Sequence, residues 1–246
     1  MYAVVIFAVA LVVRLLHIWQ IKATPFFDVL MGDANGYDQW AQRLAGGDWV
    51  GTDVFYQAPL YPYFLGSLYA IAGRDLLMVR LVQAAVGSAS CVLLGLAAER
   101  LFSRRIGLMA GLALALWAPA IFFDGLLQKS VLDMFFMCLS LWLVARIATG
   151  SRHHEPIFLG GALAALALSR ENGLLLVVVI GGWLVTVRRT AVAWFVVGLA
   201  VVFAPVVARN YALDGRFYLT TSQFGSNFYI GNNCLLYTSP SPRDAT

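Results

Sequence analysis

Apolar residues fill this chain in long runs separated by short polar breaks. Seven runs, roughly 2–21, 76–98, 107–123, 131–148, 157–169, 173–187 and 191–208, are nearly continuous. A helix that buries only one face would instead show an apolar stripe. The runs therefore predict helices surrounded by lipid. The fifth and sixth fall at or below the ~17–25 residues of a span. They read as tilted or broken helices, or as one longer segment.

One long polar interval interrupts the pattern, from Lys22 to Asp75. Within it, Tyr37, Trp40, Ala41 and Leu44 follow i, i+3, i+4, i+7 spacing and predict an amphipathic helix over 34–45. Asp38, Gln39, Gln42 and Arg43 fall on its other, solvent-facing side. Asp33 occupies the N-cap position and Gly46-Gly47 the stop. Such a helix is expected to lie flat on a membrane with its aromatics among the headgroups. Residues 59–72 form a short apolar segment containing Pro59 and Pro62. A re-entrant or interfacial helix fits it better than a span.

The expected fold is thus all-α: a polytopic transmembrane helical bundle of about seven spans, with interfacial helices in the first outer loop.

Composition agrees. Apolar residues make up 61% and charged residues 12% of the chain, against ~25% charged in soluble domains. The net charge of +4 does not point to nucleic acid, because the basic residues form no cluster interleaved with aromatics. They report topology instead. Arg100, Arg104, Arg105, Arg146, Arg152, Arg188 and Arg189 fall on one side if the spans alternate, and that side is then cytoplasmic. Most acids collect on the other side. The first run has no basic leader and carries Arg14, so it reads as a retained span, not a signal peptide. Cys91, Cys138 and Cys234 show no metal-ligand or CxxC spacing.

Polar residues at a membrane surface are candidates for chemistry. Asp33 is the first, either as a reactive carboxylate or as a helix cap. Asp38 is a solvated face residue or lines the site. Gln57 opens the Gln57-Ala58-Pro59-Leu60-Tyr61-Pro62 turn. Arg80, Lys129, Arg170 and Arg209 are cations on the acid-rich side. They pair with Asp75, Asp124, Asp133 or Glu171, or they bind a phosphate.

The motifs GDANGYDQWAQRLAGGDW and YQAPLYPYFLG, followed in order by ERLFSRR, GLLQKSVLDMFF, ALSRENGLLLV and RNY…GSNFYIGNN, resemble the membrane glycosyltransferases of the GT-C superfamily. The likeness is to the protein O-mannosyltransferase and lipid A aminoarabinose transferase branch, in particular its RgtA/B/C/D-like group. It covers residues 1–233.

The resemblance implies transfer of a sugar from a polyprenyl-phosphate donor to a glycan, lipid or protein acceptor. The reaction would take place on the outer face of a bacterial inner membrane, with inversion. It also implies Asp33 as catalytic base, with Asp38, Gln57, Arg80, Lys129, Arg170 and Glu171 as substrate-binding candidates. No metal or other cofactor is implied, and a divalent cation is left open. Two positions depart from the pattern: Ala34 stands where relatives carry an acid, and Ala58 where some carry Lys.

A lipid-linked-substrate transporter or flippase is the alternative. It would need ionisable residues near the midplane and repeated broken helices, neither of which the pattern shows. The closing CLLYTSPSPRDAT reads as a translated sequencing adapter, or else as a disordered Ser/Pro tail. On the first reading residues from about Cys234 are non-native and the natural chain is cut short.

Overall fold

The computed structural model describes residues 2–150 and 154–222, and every regular element among them is helical. Helix α1 (Tyr2–Ile21) leads through a single 3-10 turn, Pro25–Phe27, to α2 (Asp33–Ala45) and α3 (Leu60–Ala72). Then follow α4 (Leu76–Leu101), α5 (Arg104–Ala115), α6 (Ala118–Asp124), α7 (Ser130–Ala148), α8 (Glu155–Ser169), α9 (Gly173–Val187) and α10 (Arg189–Asp214). Arg152, His153, the GSNFYIGNN motif and the tail from Cys234 lie outside the described residues.

Local chemistry sets the boundaries. Asp75 caps α4, its carboxylate accepting from the amides of Leu77 at 2.8 Å and Met78 at 3.1 Å. Ser103 caps α5 in the same way. Pro119 sits in the first turn of α6, where its missing N–H costs nothing. The chain bends there by 54°. Gly215, with φ +69°, closes α10 in the left-handed region that glycine enters without strain.

Helices occupy all seven expected places, but the length test is stricter than the pattern. Four of them, α1, α4, α7 and α10, are long and apolar enough to cross a membrane, and a fifth is obtained if α5 and α6 form one bent span. The expectation of about seven is corrected accordingly. Helices α8 and α9 have 15 residues each, ~22 Å at 1.5 Å per residue, against ~30 Å of hydrocarbon. Helix α8 packs against α7, α9 and α10, so much of its surface meets protein. The apolar helices make this an integral membrane protein.

Helix α4 is central, touching α1, α5, α6 and α7. Its Gly87 admits the Asp124 carboxylate, since a Cβ there would lie 2.1 Å from Asp124 Oδ2. Asp124 pairs with Arg14 Nε at 2.6 Å, tying α1 to α6 inside the bundle. Helices α8 and α10 meet backbone to backbone: a Cβ on Gly160 would lie 2.1 Å from Phe195 O, and one on Gly198 2.0 Å from Ile157 O.

Alternating chain reversals gather residues 22–75, 124–130, 169–173 and 215–222 at one end, the acidic end. Arg100, Arg104, Arg105, Arg146, Arg188 and Arg189 collect at the other.

Helix α2 forms where the spacing put it, with two corrections. Gly32, with φ +58°, holds the cap position and Asp33 is the first helical residue. The apolar face is also covered by protein. Tyr37, Ala41 and Leu44 pack on α3 through Tyr61 and Leu65, and Gly66 of α3 leaves room for the Leu44 side chain. Trp40 stacks near Phe55 and Tyr63. The expectation of aromatics seated among headgroups therefore gives way to a two-helix layer over the acidic end.

Candidate active site

The first turn of α2 places Asp33 at the surface, exposed and without a hydrogen bond or ion pair among the described residues. One turn later Tyr37 is buried. Burial pushes its phenol up to about 12, the charges of Asp33 and Asp133 push it further, and Arg170 opposes them. Asp33, Asp133 and Arg170 thus converge electrostatically on one hydroxyl, which stays protonated at neutral pH.

Asp133, in the first turn of α7, accepts from Ser169 Oγ at 2.6 Å and from Arg170 Nε at 2.8 Å. Arg170, just past α8, keeps about half of its side chain exposed. Glu171 follows. Its carboxyl accepts from the Thr221 hydroxyl, and burial raises its pKa while the Lys129 charge opposes the rise. Lys129, immediately before α7, makes no ion pair among the described residues. The starts of α2 and α7 and the α8–α9 turn thus carry Asp33, Lys129, Arg170 and Glu171 at the acidic end, Asp33 and Arg170 through their fields on Tyr37 and Lys129 through its field on Glu171. Tyr37 was legible only as an apolar face position, and Asp133 only as a partner for cations.

Two cavities flank this cluster. A groove of about 390 Å3 runs between α6, α7, α8 and α9, walled by Trp117, Phe123, Met134, Met137, Leu166 and Leu176. Asp133 and Arg170 also line it. A second cavity, about 470 Å3, lies between the end of α1 and the α6–α7 connection. Met31 and Ala34, on either side of Asp33, form part of its wall.

The remaining candidates sit elsewhere. Asp38 does not face solvent: it is 3% exposed. It accepts from Tyr69 Oη at 2.6 Å, Gln42 Nε2 at 2.8 Å, and Arg74 Nε at 2.9 and 3.1 Å. Arg80 is 1% exposed. It donates to the carbonyls of Gly125, Phe27 and Leu76 and lies over the Phe27 ring, so its donors are engaged inside the protein. Gln83 donates to the carbonyls of Asp124 and Leu126 and accepts from Tyr61 Oη at 2.7 Å. Together these two side chains hold the connection that leads to Lys129. Gln57 lines a separate cavity at the far end of α2. Among the described residues no group of His, Cys, Asp or Glu side chains is placed to hold a metal ion.

A helical membrane bundle with carboxylates, two cations and an apolar groove at one end is the setting for the comparison with known proteins. Residues 56–210 match the family of dolichyl-phosphate-mannose-protein mannosyltransferases. The chain belongs to that family. It is a mannosyltransferase-like glycosyltransferase of the GT-C type. The matched stretch takes in Gln57, Arg80, Lys129, Asp133, Arg170 and Glu171, and it begins after α2, so Asp33 lies outside it. No curated protein and no solved structure matches the chain.

Proposed function

We propose that the protein transfers a sugar from a polyprenyl-phosphate donor to an acceptor hydroxyl at the outer face of a bacterial inner membrane. The observation that carries this is that Asp33, exposed and unpaired among the described residues, acts on the same buried Tyr37 phenol as Asp133 and Arg170, which line an apolar groove. Arginine concentration at the opposite end supports the orientation, because basic residues remain cytoplasmic.

The polyprenyl chain lies in the groove walled by Met134, Met137 and Leu176. Its phosphate sits beside Arg170 and Lys129. Arg170 shares its guanidinium with Asp133, which fixes its direction, while Lys129 supplies an unpaired charge. Asp33 takes the proton from the acceptor oxygen as that oxygen attacks the anomeric carbon. The bond from that carbon to the phosphate oxygen breaks, and the polyprenyl phosphate leaves with its electron pair. The cations stabilise the charge that develops. A single displacement inverts the anomeric centre. The Tyr37 phenol, kept neutral, does not compete as a base.

The test follows a labelled polyprenyl-phosphate sugar with the full chain in membranes. Asp33→Asn is expected to lower transfer by about 10²–10⁴-fold, the usual contribution of a general base, with insertion unchanged. Near-normal turnover in that variant removes Asp33 as the base. Movement of the lipid across the membrane with no sugar transferred, in the unaltered protein, replaces the enzyme reading with a flippase.

A further inference from the structure

Arg43 follows Asp33 by ten positions in α2, ~15 Å along the helix. At that far end lies a cavity of about 260 Å3, lined among others by Trp40, Arg43, Asp48, Tyr56, Gln57 and Tyr63. It is distinct from the groove and from the cavity beside Asp33.

The cavity is built, not incidental. Arg209 of α10 donates to Val50 O at 2.6 Å and to Asp53 O at 2.9 Å, and its guanidinium stacks 3.7 Å over the Phe55 ring. Gly51 takes φ +69°, and a Cβ there would come within 3.0 Å of the Arg209 guanidinium. Asn210 Oδ1 accepts from the Phe55 amide at 3.4 Å, and the Ser222 amide donates to Phe55 O at 2.9 Å. The loop after α2 is thereby pinned over the end of α10.

Part of the wall is aromatic. Trp40 and Phe55 have centroids 5.6 Å apart, Phe55 and Tyr63 5.7 Å, and all three line the cavity. The rim is polar, with Arg43, Asp48, Asp53 and Gln57. Arg43 makes no ion pair among the described residues, and Tyr56 stands 59% exposed at the edge.

This combination selects a chemical class. A sugar ring presents an apolar C–H face and a rim of hydroxyls that both donate and accept. Aromatic rings cover the first, while guanidinium, amide and carboxylate groups satisfy the second. Two arginines against two aspartates leave the cavity near neutral, which disfavours an anionic phosphate. Charges at the rim exclude a hydrocarbon tail. The volume, about 260 Å3, falls just below the ~300–1,000 Å3 of cavities for drug-sized ligands and suits a single ring. Asn35, Gln39, Gln42 and Arg43, all exposed, form a polar track along α2 from this cavity back to Asp33.

We propose that this cavity is a saccharide subsite that holds a neutral hexose unit of a glycan acceptor while another hydroxyl of the same glycan reaches Asp33. The acceptor role rests on the glycosyltransferase reading above, and binding of the sugar does not.

Saturation-transfer NMR on the full chain in detergent, with mannotetraose, maltotetraose and galactotetraose as probes and no donor present, tests it. At least one probe is expected to bind both the unaltered protein and Asp33→Asn. Binding is expected to weaken about tenfold in an Arg43→Ala/Tyr56→Ala variant of unchanged helix content, the loss of one stacking and one polar contact. Both substitutions are at exposed side chains, so folding is expected to survive. Absence of transfer from all three probes overturns the subsite, as does binding indifferent to the double substitution or displaced by a serine-containing peptide. Sugar binding with no catalytic loss in Asp33→Asn would retain the subsite and reject only the assignment of the base.

Discussion

Asp38→Ala separates the buried network from the solvent-facing position that spacing alone assigns. In the structure the carboxylate joins α2 to α3 through Tyr69 and to the turn before α4 through Arg74, and it also accepts from Gln42 one turn on in α2. The tyrosine and glutamine bonds, at 2.6 and 2.8 Å, are bonds to a charged acceptor, ~1.5–3 kcal/mol each before overlap. The Arg74 side chain is 43% exposed, and screening reduces that pair to ~0.2–1 kcal/mol. Because the contributions overlap, removing the carboxylate is expected to cost about 3–4 kcal/mol, including the stranded Tyr69 hydroxyl. That corresponds to roughly a 10²–10³-fold rise in local opening. Hydrogen exchange followed by mass spectrometry on the full chain in detergent reads it directly. Peptides from α2 and α3 should exchange faster by that factor, with α7 and α8 unchanged. Arg74→Ala should cost less than ~1 kcal/mol. An Asp38→Ala effect within ~0.5 kcal/mol, the range of ordinary surface substitutions, would refute the buried network and restore the solvent-facing reading.

The bundle and the outer layer supply further tests. Gly198→Ala should lower the thermal midpoint clearly, because its Cβ would meet Ile157 O at 2.0 Å. Gly182→Ala, with nothing within 4 Å, should be neutral or slightly stabilising, by up to ~1 kcal/mol from helix propensity; equal effects from the two would contradict the close approach of α8 and α10. Arg14→Met should destabilise by about 3–5 kcal/mol by stranding Asp124, and adding Asp124→Leu should recover much of the loss in the same melting assay; no recovery would mean that the pair is not coupled. The Tyr37 phenol is raised from 10.0 to about 12, so the folded state prefers it protonated. Its contribution is fully present below pH 10 and is lost as pH rises toward 12. Tyr37→Phe should therefore remove one late-ionising phenol from the tyrosinate absorbance titration and reduce the loss of α2 protection between pH 10 and 12; an unchanged titration would refute the assignment.

Much of the fold was legible because membrane burial is a property of long averages. Runs such as Tyr2–Ile21 and Arg189–Asp214 contain enough apolar residues that single positions do not alter the reading. Stops such as Gly46 act through neighbouring backbone and are local enough to read directly, whereas the Asp75 cap and the bend at Pro119, inside what reads as one run, came from the structure. The arginine-rich end was visible for the same reason: charge asymmetry is a sum. The candidate site was partly legible. Asp33, Lys129, Arg170 and Glu171 stand out as polar residues at run boundaries, and run boundaries meet at one end of any alternating bundle.

Partner choice was not legible. Arg80 and Lys129 look alike as cations at one end of the chain's polarity, yet Arg80 is inside the bundle on three carbonyls and Lys129 is not. That difference depends on how the Pro25–Phe27 turn and the α6–α7 connection fold over α4. Asp38 sits one position from the buried Tyr37, and a rotation of about 100° per residue leaves the edge of a helix face undefined until α3 is in place. The sequence by itself determined the solvent, the helix positions and the charge polarity, since each is a sum over many residues or a local backbone effect. Only the tertiary structure decided which charged groups are engaged and which remain open to a substrate, because a hydrogen bond depends on two particular atoms meeting within about 3 Å.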